Sequence, residues 1–161
     1  MTVTLVILAL VTLQRLGELW LSNRNTRRLL GEGAHEVGAG HYPLIVAVHA
    51  LWLAALWWFA WGRPIDGFWL GMFVLLELAR IWVVASLGSR WTTRIIILPQ
   101  APLVRRGPYR WVQHPNYLVV IGEIAVLPLV FGLWPVALLF SVLNAAILTV
   151  RIREENRALR R

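Results

Sequence analysis

The sequence predicts an all-α integral membrane protein with about five transmembrane helices, in which the last two helices form a hairpin next to a cytoplasmic loop. Three observations lead to this prediction: an apolar composition, five long apolar segments, and arginines concentrated between certain segments. Of the 161 residues, 58% are hydrophobic and 15% are charged, whereas about 25% are charged in an average soluble domain. The length is that of one domain, so we treat residues 1–161 as a single membrane domain.

The apolar segments set the order of the predicted helices. A helix needs about 20 apolar residues to cross a bilayer, with a range of about 17–25. The segments are Thr2–Leu21, Pro43–Trp61, Phe68–Leu87, Asn116–Leu133 and Trp134–Val150. The last two are short and only a tight turn separates them. Residues 1–88 are therefore predicted to hold three helices, and residues 89–161 a loop, a helical hairpin and a short tail.

The arginines indicate the orientation of the chain, because cytoplasmic loops are enriched in Lys and Arg. With five crossings, three arginine-rich segments fall on one side, and the opposite side has only Arg63. The arginines of the first side are Arg24, Arg27, Arg28, Arg90, Arg94, Arg105, Arg106, Arg110, Arg151, Arg153, Arg157, Arg160 and Arg161. We expect this side to be cytoplasmic, with the N-terminus outside and the C-terminus inside. Because these arginines lie where anionic headgroups attract them, the net charge of +8 indicates membrane lipids as partners and not nucleic acid.

Charged residues also occur inside the apolar segments. Arg15 and Glu18 are three apart, as are Glu77 and Arg80, so each pair lies on one helix face. Charges within a membrane are costly and are often functional. We expect each pair to neutralise itself, whereas Glu123 has no partner nearby in sequence and fits either a structural hydrogen bond or the wall of a substrate pocket.

No metal site is predicted. The chain has no cysteine, and His35 and His41, which flank a glycine-rich stretch, lack further ligands at suitable spacing.

The stretch from Leu103 to Tyr117 carries the residues most suited to chemistry. Gly107-Pro108 predicts a turn, and Pro115 suits the first position of the fourth helix. The free backbone N–H groups at such a helix start attract an anion, and Tyr109, Trp111 and Tyr117 offer aromatic faces to an adenine or a sulfonium group. From these residues alone, an interfacial loop with aromatic anchors is an equally good interpretation.

A second piece closes the fifth helix. Arg151 and Glu155 are four apart and share a helix face. Because the hairpin returns this helix end to the start of the fourth helix, we expect an arginine, a glutamate, the aromatic faces and the helix start to meet at one level of the membrane. A surface pair at a helix end is the plainer alternative.

The two pieces resemble the isoprenylcysteine carboxyl methyltransferase family. This family is marked by a Gly-x-Tyr turn, a His-Pro-x-Tyr helix start and an Arg-x-x-x-Glu-Glu-x-x-Leu segment. The chain matches with Gly107-Pro108-Tyr109, with His114-Pro115-Asn116-Tyr117, and with Arg151 through Leu159, where Asn156 replaces the second Glu. The resemblance covers about Arg90 to Leu159, and the preceding segments are similar to the short bacterial branch of the family. It implies a multi-pass protein of the bacterial inner membrane.

The resemblance also implies a cofactor, S-adenosylmethionine, and the residues that hold it. These cofactor contacts are Leu103, Val104, Tyr109, His114, Pro115, Asn116, Tyr117 and Glu155. Glu155 would meet the ammonium group of the cofactor. Arg94 falls where the family has a glutamine contact, and Arg151 falls on the arginine that orients the substrate.

The function implied is transfer of a methyl group to an oxygen, carboxylate or enol, of a lipophilic small molecule or lipid-modified substrate. Two alternatives remain. One is N-methylation of a phospholipid amine, or a membrane reductase with the same hairpin. The other is a non-catalytic membrane protein or a small transporter.

Overall fold

The computed structural model describes residues 2–159, and for Leu159 only the backbone. The predictions for Arg160 and Arg161, and for the Leu159 side chain, lie outside the described residues. Five α-helices follow one another: α1 (Thr2–Gly31), α2 (Tyr42–Phe59), α3 (Gly67–Leu87), α4 (Pro115–Val130) and α5 (Trp134–Leu159). The predicted all-α membrane class is confirmed.

The helices differ in whether they are long enough to cross a bilayer. Within residues 2–159, four helices are long and apolar enough: α1, α2 with the turn before it, α3 and α5. Helix α4 has 16 residues, which at about 1.5 Å per residue is shorter than a hydrocarbon core of about 30 Å. The chain is thus a multi-pass membrane protein, and the predicted fifth crossing depends on this short helix.

Two of the helices continue past their apolar segments. Helix α1 extends to Gly31 instead of ending at Leu21, and α5 extends to Leu159 instead of ending at Val150. The thickness of the hydrocarbon core sets the length of the apolar part of a helix. The helical backbone hydrogen bonds can continue into the polar residues beyond it. Arg151 and Glu155 therefore lie on the continuous helix α5, which fixes their spacing.

The turn between α4 and α5 forms where the backbone pattern breaks. Pro128 lies inside α4, and its carbonyl accepts a hydrogen bond from Leu133 N at 2.9 Å. Gly132 has φ 65°, a conformation that favours glycine. Helix α4 therefore ends at Val130, three residues before the predicted end at Leu133. Helix α4 packs against α5, as the predicted tight hairpin requires. It also packs against α3.

A short antiparallel sheet was not anticipated by the segment pattern. Strand β1 (His35–Val37) pairs with β2 (Ile95–Ile97), with Glu36 opposite Ile96. The sheet ties the loop between α1 and α2 to the loop between α3 and α4. These loops are thereby held together over the ends of the helices.

The intramembrane charges form one cluster instead of two self-neutralising pairs. Glu123, which is 1% exposed, lies 2.7 Å from Arg15 and 2.9 Å from Arg80. Arg80 also donates to Glu18 at 2.6 Å, and Arg15 lies 3.3 Å from Glu18. Within residues 2–159 Glu77 makes no salt bridge, so the expected pair of Glu77 with Arg80 is wrong. The cluster connects α1, α3 and α4, which gives Glu123 a structural hydrogen-bonding role.

Candidate functional site

A cavity of about 1110 Å³ lies where the two loops, the start of α4 and the last turns of α5 meet. Nine of the ten predicted site residues line it: Arg94, Leu103, Val104, Tyr109, His114, Asn116, Tyr117, Arg151 and Glu155. Pro115 does not line the cavity, because it is buried as the first residue of α4. Ligand pockets have volumes of about 300–1,000 Å³, so this cavity has room for a cofactor and part of a second molecule.

Tyr117 connects the two charged residues of α5. Its hydroxyl donates a hydrogen bond to Glu155 Oε2 and accepts one from Arg151 Nε at 2.8 Å. Arg151 is 8% exposed, and its guanidinium carbon lies 5.5 Å from the centroid of the Tyr117 ring. This contact between the first turn of α4 and the end of α5 fixes the carboxylate and the guanidinium relative to each other.

The His114 ring lies beside this network. It stacks on Tyr117 with 5.2 Å between the ring centroids, and its Nδ1 lies 3.6 Å from Glu155 Oε2. On its other side, Nε2 is 3.3 Å from Asn156 Oδ1, which also accepts from Gln113 Nε2 at 3.4 Å. The ring is thus held between two residues of α5, with one face on Tyr117.

Asn156 is a site residue that the sequence did not indicate as functional. It departs from the glutamate of the family pattern, and the structure gives it a role in orienting His114 and Gln113. The signal that could have found it was its position directly after Glu155, at the level of the His-Pro turn.

Tyr109 lies in the short 3-10 helix Gly107–Arg110, and it also lines the cavity. Burial raises the pKa of its phenol, and the negative charge of Glu155 raises that pKa further. The hydroxyl therefore keeps its proton at neutral pH and can donate a hydrogen bond into the cavity.

Gly107 allows this turn to sit against α3. Its φ is +57°, and a Cβ added there would lie well inside the contact distance of Ser86 Oγ. Only glycine has no cost in this conformation and leaves space for the serine. The Gly-x-Tyr pattern therefore has a steric cause.

Asn116 supplies a polar atom with no partner. Its Oδ1 is buried, and within residues 2–159 it accepts no hydrogen bond, although the residue lines the cavity. A buried acceptor without a partner is costly. A ligand with an N–H donor at this position would remove that cost.

Arg94 lines the cavity but is already engaged. One of its nitrogens lies 3.0 Å from both carboxylate oxygens of Glu36, and its guanidinium carbon is 4.3 Å from the centroid of the Tyr42 ring. These contacts join β1 and the start of α2 to the loop after α3. Arg94 thus stabilises the cavity wall whether or not it also meets a ligand.

The comparisons with known proteins agree with the geometry. Residues 69–161 match the model of the isoprenylcysteine carboxyl methyltransferase (ICMT) family. The chain belongs to this family. It is accordingly a membrane methyltransferase in general terms, and the matched region contains both cavity-lining pieces of the hairpin. Family members use S-adenosylmethionine in general.

Two relatives extend the similarity to almost the full chain. The chain is 37% identical over 158 residues to uncharacterized protein YpbQ of Bacillus subtilis, which covers 95% of this chain and 94% of that protein. It is 29% identical over 153 residues to an uncharacterized protein of Haemophilus influenzae, covering 90% and 88% of the two chains. No solved structure matched the chain.

Proposed function

We propose that the protein transfers a methyl group from S-adenosylmethionine to an oxygen, carboxylate or enol, of a lipophilic substrate at the cytoplasmic face of the bacterial inner membrane. The observation that carries this proposal is the Tyr117 hydroxyl, which bridges Arg151 and Glu155 inside the cavity. The bridge holds a carboxylate and a guanidinium side by side at the cavity wall, where one can meet the cofactor and the other the acceptor.

The residues present fit the cofactor. Glu155 offers a carboxylate to an ammonium group, and Asn116 Oδ1 offers an unpartnered acceptor to an N–H donor. Tyr109 supplies an aromatic face for adenine or for a sulfonium, whereas the Tyr117 ring is already stacked on His114. The remaining proposed contacts, which also line the cavity, are Leu103, Val104, His114 and Arg94. When bound, the cofactor supplies a methyl group that its sulfonium already activates.

Arg151 is suited to hold the acceptor. Its Nε is used by Tyr117, and within residues 2–159 the guanidinium makes no salt bridge. The two terminal nitrogens can therefore form parallel hydrogen bonds to a carboxylate or enolate. Six arginines and two glutamates line the cavity, so the field favours an anionic acceptor over a phospholipid amine.

The protein's contribution to the reaction is positioning. The α4–α5 contact holds the acceptor and the cofactor residues at a fixed distance, and the loops joined by β1 and β2 form part of the cavity wall beside them. Alignment of nucleophile and leaving group accounts for a large part of the barrier in such transfers. A carboxylate or acidic enol ionises without help near neutral pH, so no separate base is needed.

A transfer experiment tests the proposal. Purified protein in vesicles of bacterial lipid extract is incubated with methyl-labelled S-adenosylmethionine, and the label in the lipid fraction is measured. We expect labelled lipid. A methyl ester then releases labelled methanol on mild alkaline treatment, an enol ether releases it on acid treatment, and an N-methyl group releases it under neither condition.

The outcomes separate the competing functions. Label that resists both treatments would support N-methylation of an amine and contradict the acceptor role of Arg151. A protein that binds no cofactor and transfers no label would contradict the methyltransferase proposal and favour a reductase or a non-catalytic role.

A further inference from the structure

A second cavity lies between α1 and α3, within the apolar part of both helices. Its volume is about 680 Å³, and it shares no lining residue with the larger cavity. Most of its wall is apolar, with Phe73 and Val74 on α3 facing Leu10 and Val11 on α1. Its polar residues are Gln14, Glu18, Glu77 and Arg80. We call this cavity the α1–α3 groove.

The charges beside the groove do not balance when all of them are ionised. Three carboxylates, Glu18, Glu77 and Glu123, lie near only two guanidinium groups among residues 2–159, those of Arg15 and Arg80. Both arginines are occupied by Glu18 and Glu123, at distances from 2.6 to 3.3 Å. The third carboxylate thus has no cation within residues 2–159, and the excess charge at the groove is negative.

Glu77 is the carboxylate that has no cationic partner within residues 2–159. Its Oε2 accepts one hydrogen bond, from Gln14 Nε2 at 2.5 Å, and its Oε1 is buried without any partner in the described residues. A carboxylate in an apolar environment needs a cation or a proton to offset its desolvation. A ligand with a positive charge and N–H donors would supply both the missing charge and the missing hydrogen bond.

The position of Glu77 limits what that ligand can be. It is the eleventh of the 21 residues of α3, so it lies about 15 Å from either helix end at about 1.5 Å per residue. A water-soluble amine would not reach this depth. The groove extends along α3 from Leu70 to Ala85, and its apolar wall suits a hydrocarbon chain.

We propose that the α1–α3 groove binds a lipophilic primary amine, with the ammonium group on Glu77 and Gln14 and the hydrocarbon chain along α1 and α3. This site is separate from the methyl-transfer cavity and does not depend on the proposed reaction. An anionic methyl acceptor does not fit it, because Arg80, the one arginine among residues 2–159 that lines the groove, is already paired with two carboxylates.

Photolabelling tests the proposal. Purified full-length protein in phosphatidylcholine nanodiscs is irradiated with a diazirine-bearing octadecylamine, and the labelled peptides are mapped by mass spectrometry. An alcohol and a carboxylic acid with the same chain and diazirine serve as matched probes. We expect the amine to label the α1 and α3 segments of the groove at a mole fraction at least tenfold below that needed for either matched probe.

Two variants make the test specific. Glu77→Gln keeps the side-chain shape and the hydrogen bonding but removes the charge, so the amine should label at least tenfold more weakly. Glu32→Gln, at an exposed position directly after α1, should be labelled like the wild type. If Glu77→Gln does not fold, Val74→Trp, which fills the groove from its wall, should abolish labelling.

Several results would overturn the proposal. These are equal labelling by amine and alcohol, labelling unchanged in Glu77→Gln, labelling unchanged in Val74→Trp, and a groove protected by cross-links to a second copy of the chain. Methyl transfer by the same variants in vesicles of bacterial lipid extract is expected to be independent of these outcomes, because the two cavities share no residue.

Discussion

Replacing Arg151 by lysine separates an acceptor-binding arginine from an interfacial anchor. Arg151 is 8% exposed, and its Nε donates to Tyr117 Oη at 2.8 Å, while within residues 2–159 its terminal nitrogens make no hydrogen bond. Lysine keeps the positive charge but has a single nitrogen. In Arg151→Lys that nitrogen can bond either Tyr117 or the acceptor, but it cannot clamp the acceptor with two parallel bonds.

The expected effect is a large loss of methyl transfer with little change in cofactor affinity. A displacement of the acceptor by about 1 Å can cost on the order of 100-fold in rate, which corresponds to about 2.7 kcal/mol at about 1.36 kcal/mol per tenfold. The assay is transfer of labelled methyl into extracted lipid by purified protein, with cofactor binding measured calorimetrically on the same samples. Arg153→Lys is the matched control, because Arg153 is on the same helix, is exposed and does not line the cavity.

Undiminished transfer by Arg151→Lys would refute the acceptor role, since a residue that only anchors α5 at the headgroups is replaced freely by lysine. Loss of transfer together with cofactor binding would place Arg151 in the cofactor site instead. An equal loss in Arg153→Lys would mean that the end of α5 is sensitive to any substitution, and it would contradict a role specific to Arg151.

Three further predictions follow from single features of the structure. Tyr117→Phe leaves the buried Arg151 Nε without a partner, so it should lower the free energy of unfolding by about 1–3 kcal/mol and reduce methyl transfer; an unfolding midpoint equal to that of wild type would contradict the bridge. Gly107→Ala should lower the midpoint of thermal unfolding more than Gly62→Ala, because both glycines have positive φ but, of the two, Gly107 alone has no space for a Cβ. Equal decreases in the midpoint would contradict the steric role of Gly107. Reporter fusions at the C-terminus and at Asp66 should report opposite sides of the membrane, with the C-terminus cytoplasmic, and the same side for both would refute five crossings.

The sequence was sufficient to predict the helices because a segment that crosses a bilayer must be apolar over the thickness of the hydrocarbon core. The beginnings of α3 and α5 were predicted within one residue, since apolar runs mark the hydrocarbon core. The end of α1 was missed by ten residues, because the polar residues after Leu21 continue the helix, with Ser22 and Asn25 buried against the segment that follows α3. The strands were missed as well, although the run Ile95-Ile96-Ile97 has the β-branched composition typical of a strand.

For the intramembrane charges, spacing along the sequence predicts salt bridges within one helix but not between helices. Pairs three residues apart share a helix face, and that argument correctly joined Arg15 to Glu18. It failed for Glu77 because Arg80 points to α1 and α4, where Glu18 and Glu123 offer two carboxylates. Partners that are 43 to 108 positions apart in the chain are known only once the helices are packed.

The sequence alone indicated four of the predicted residues that line the cavity, Tyr109, Tyr117, Arg151 and Glu155, the family motifs added the others, and the contacts among them came from the structure. Sequence spacing put Arg151 and Glu155 on one face, but nothing in it indicated that the Tyr117 hydroxyl joins them. The role of Asn156 was hidden for the same reason, because it acts through His114, which is distant in sequence. The assignment of each residue to cofactor or acceptor remains a prediction.

Titration of purified protein with S-adenosylmethionine tests the central claim most directly. We expect the wild type to bind one cofactor per chain. Glu155→Gln should weaken binding by about 1–3 kcal/mol, the scale of a charge-assisted hydrogen bond. Glu154→Gln should weaken binding much less, because the Glu154 carboxylate also lines the cavity but is paired with Arg157 at 2.9 Å. No heat of binding in the wild type, or equal weakening by the two substitutions, would contradict the account.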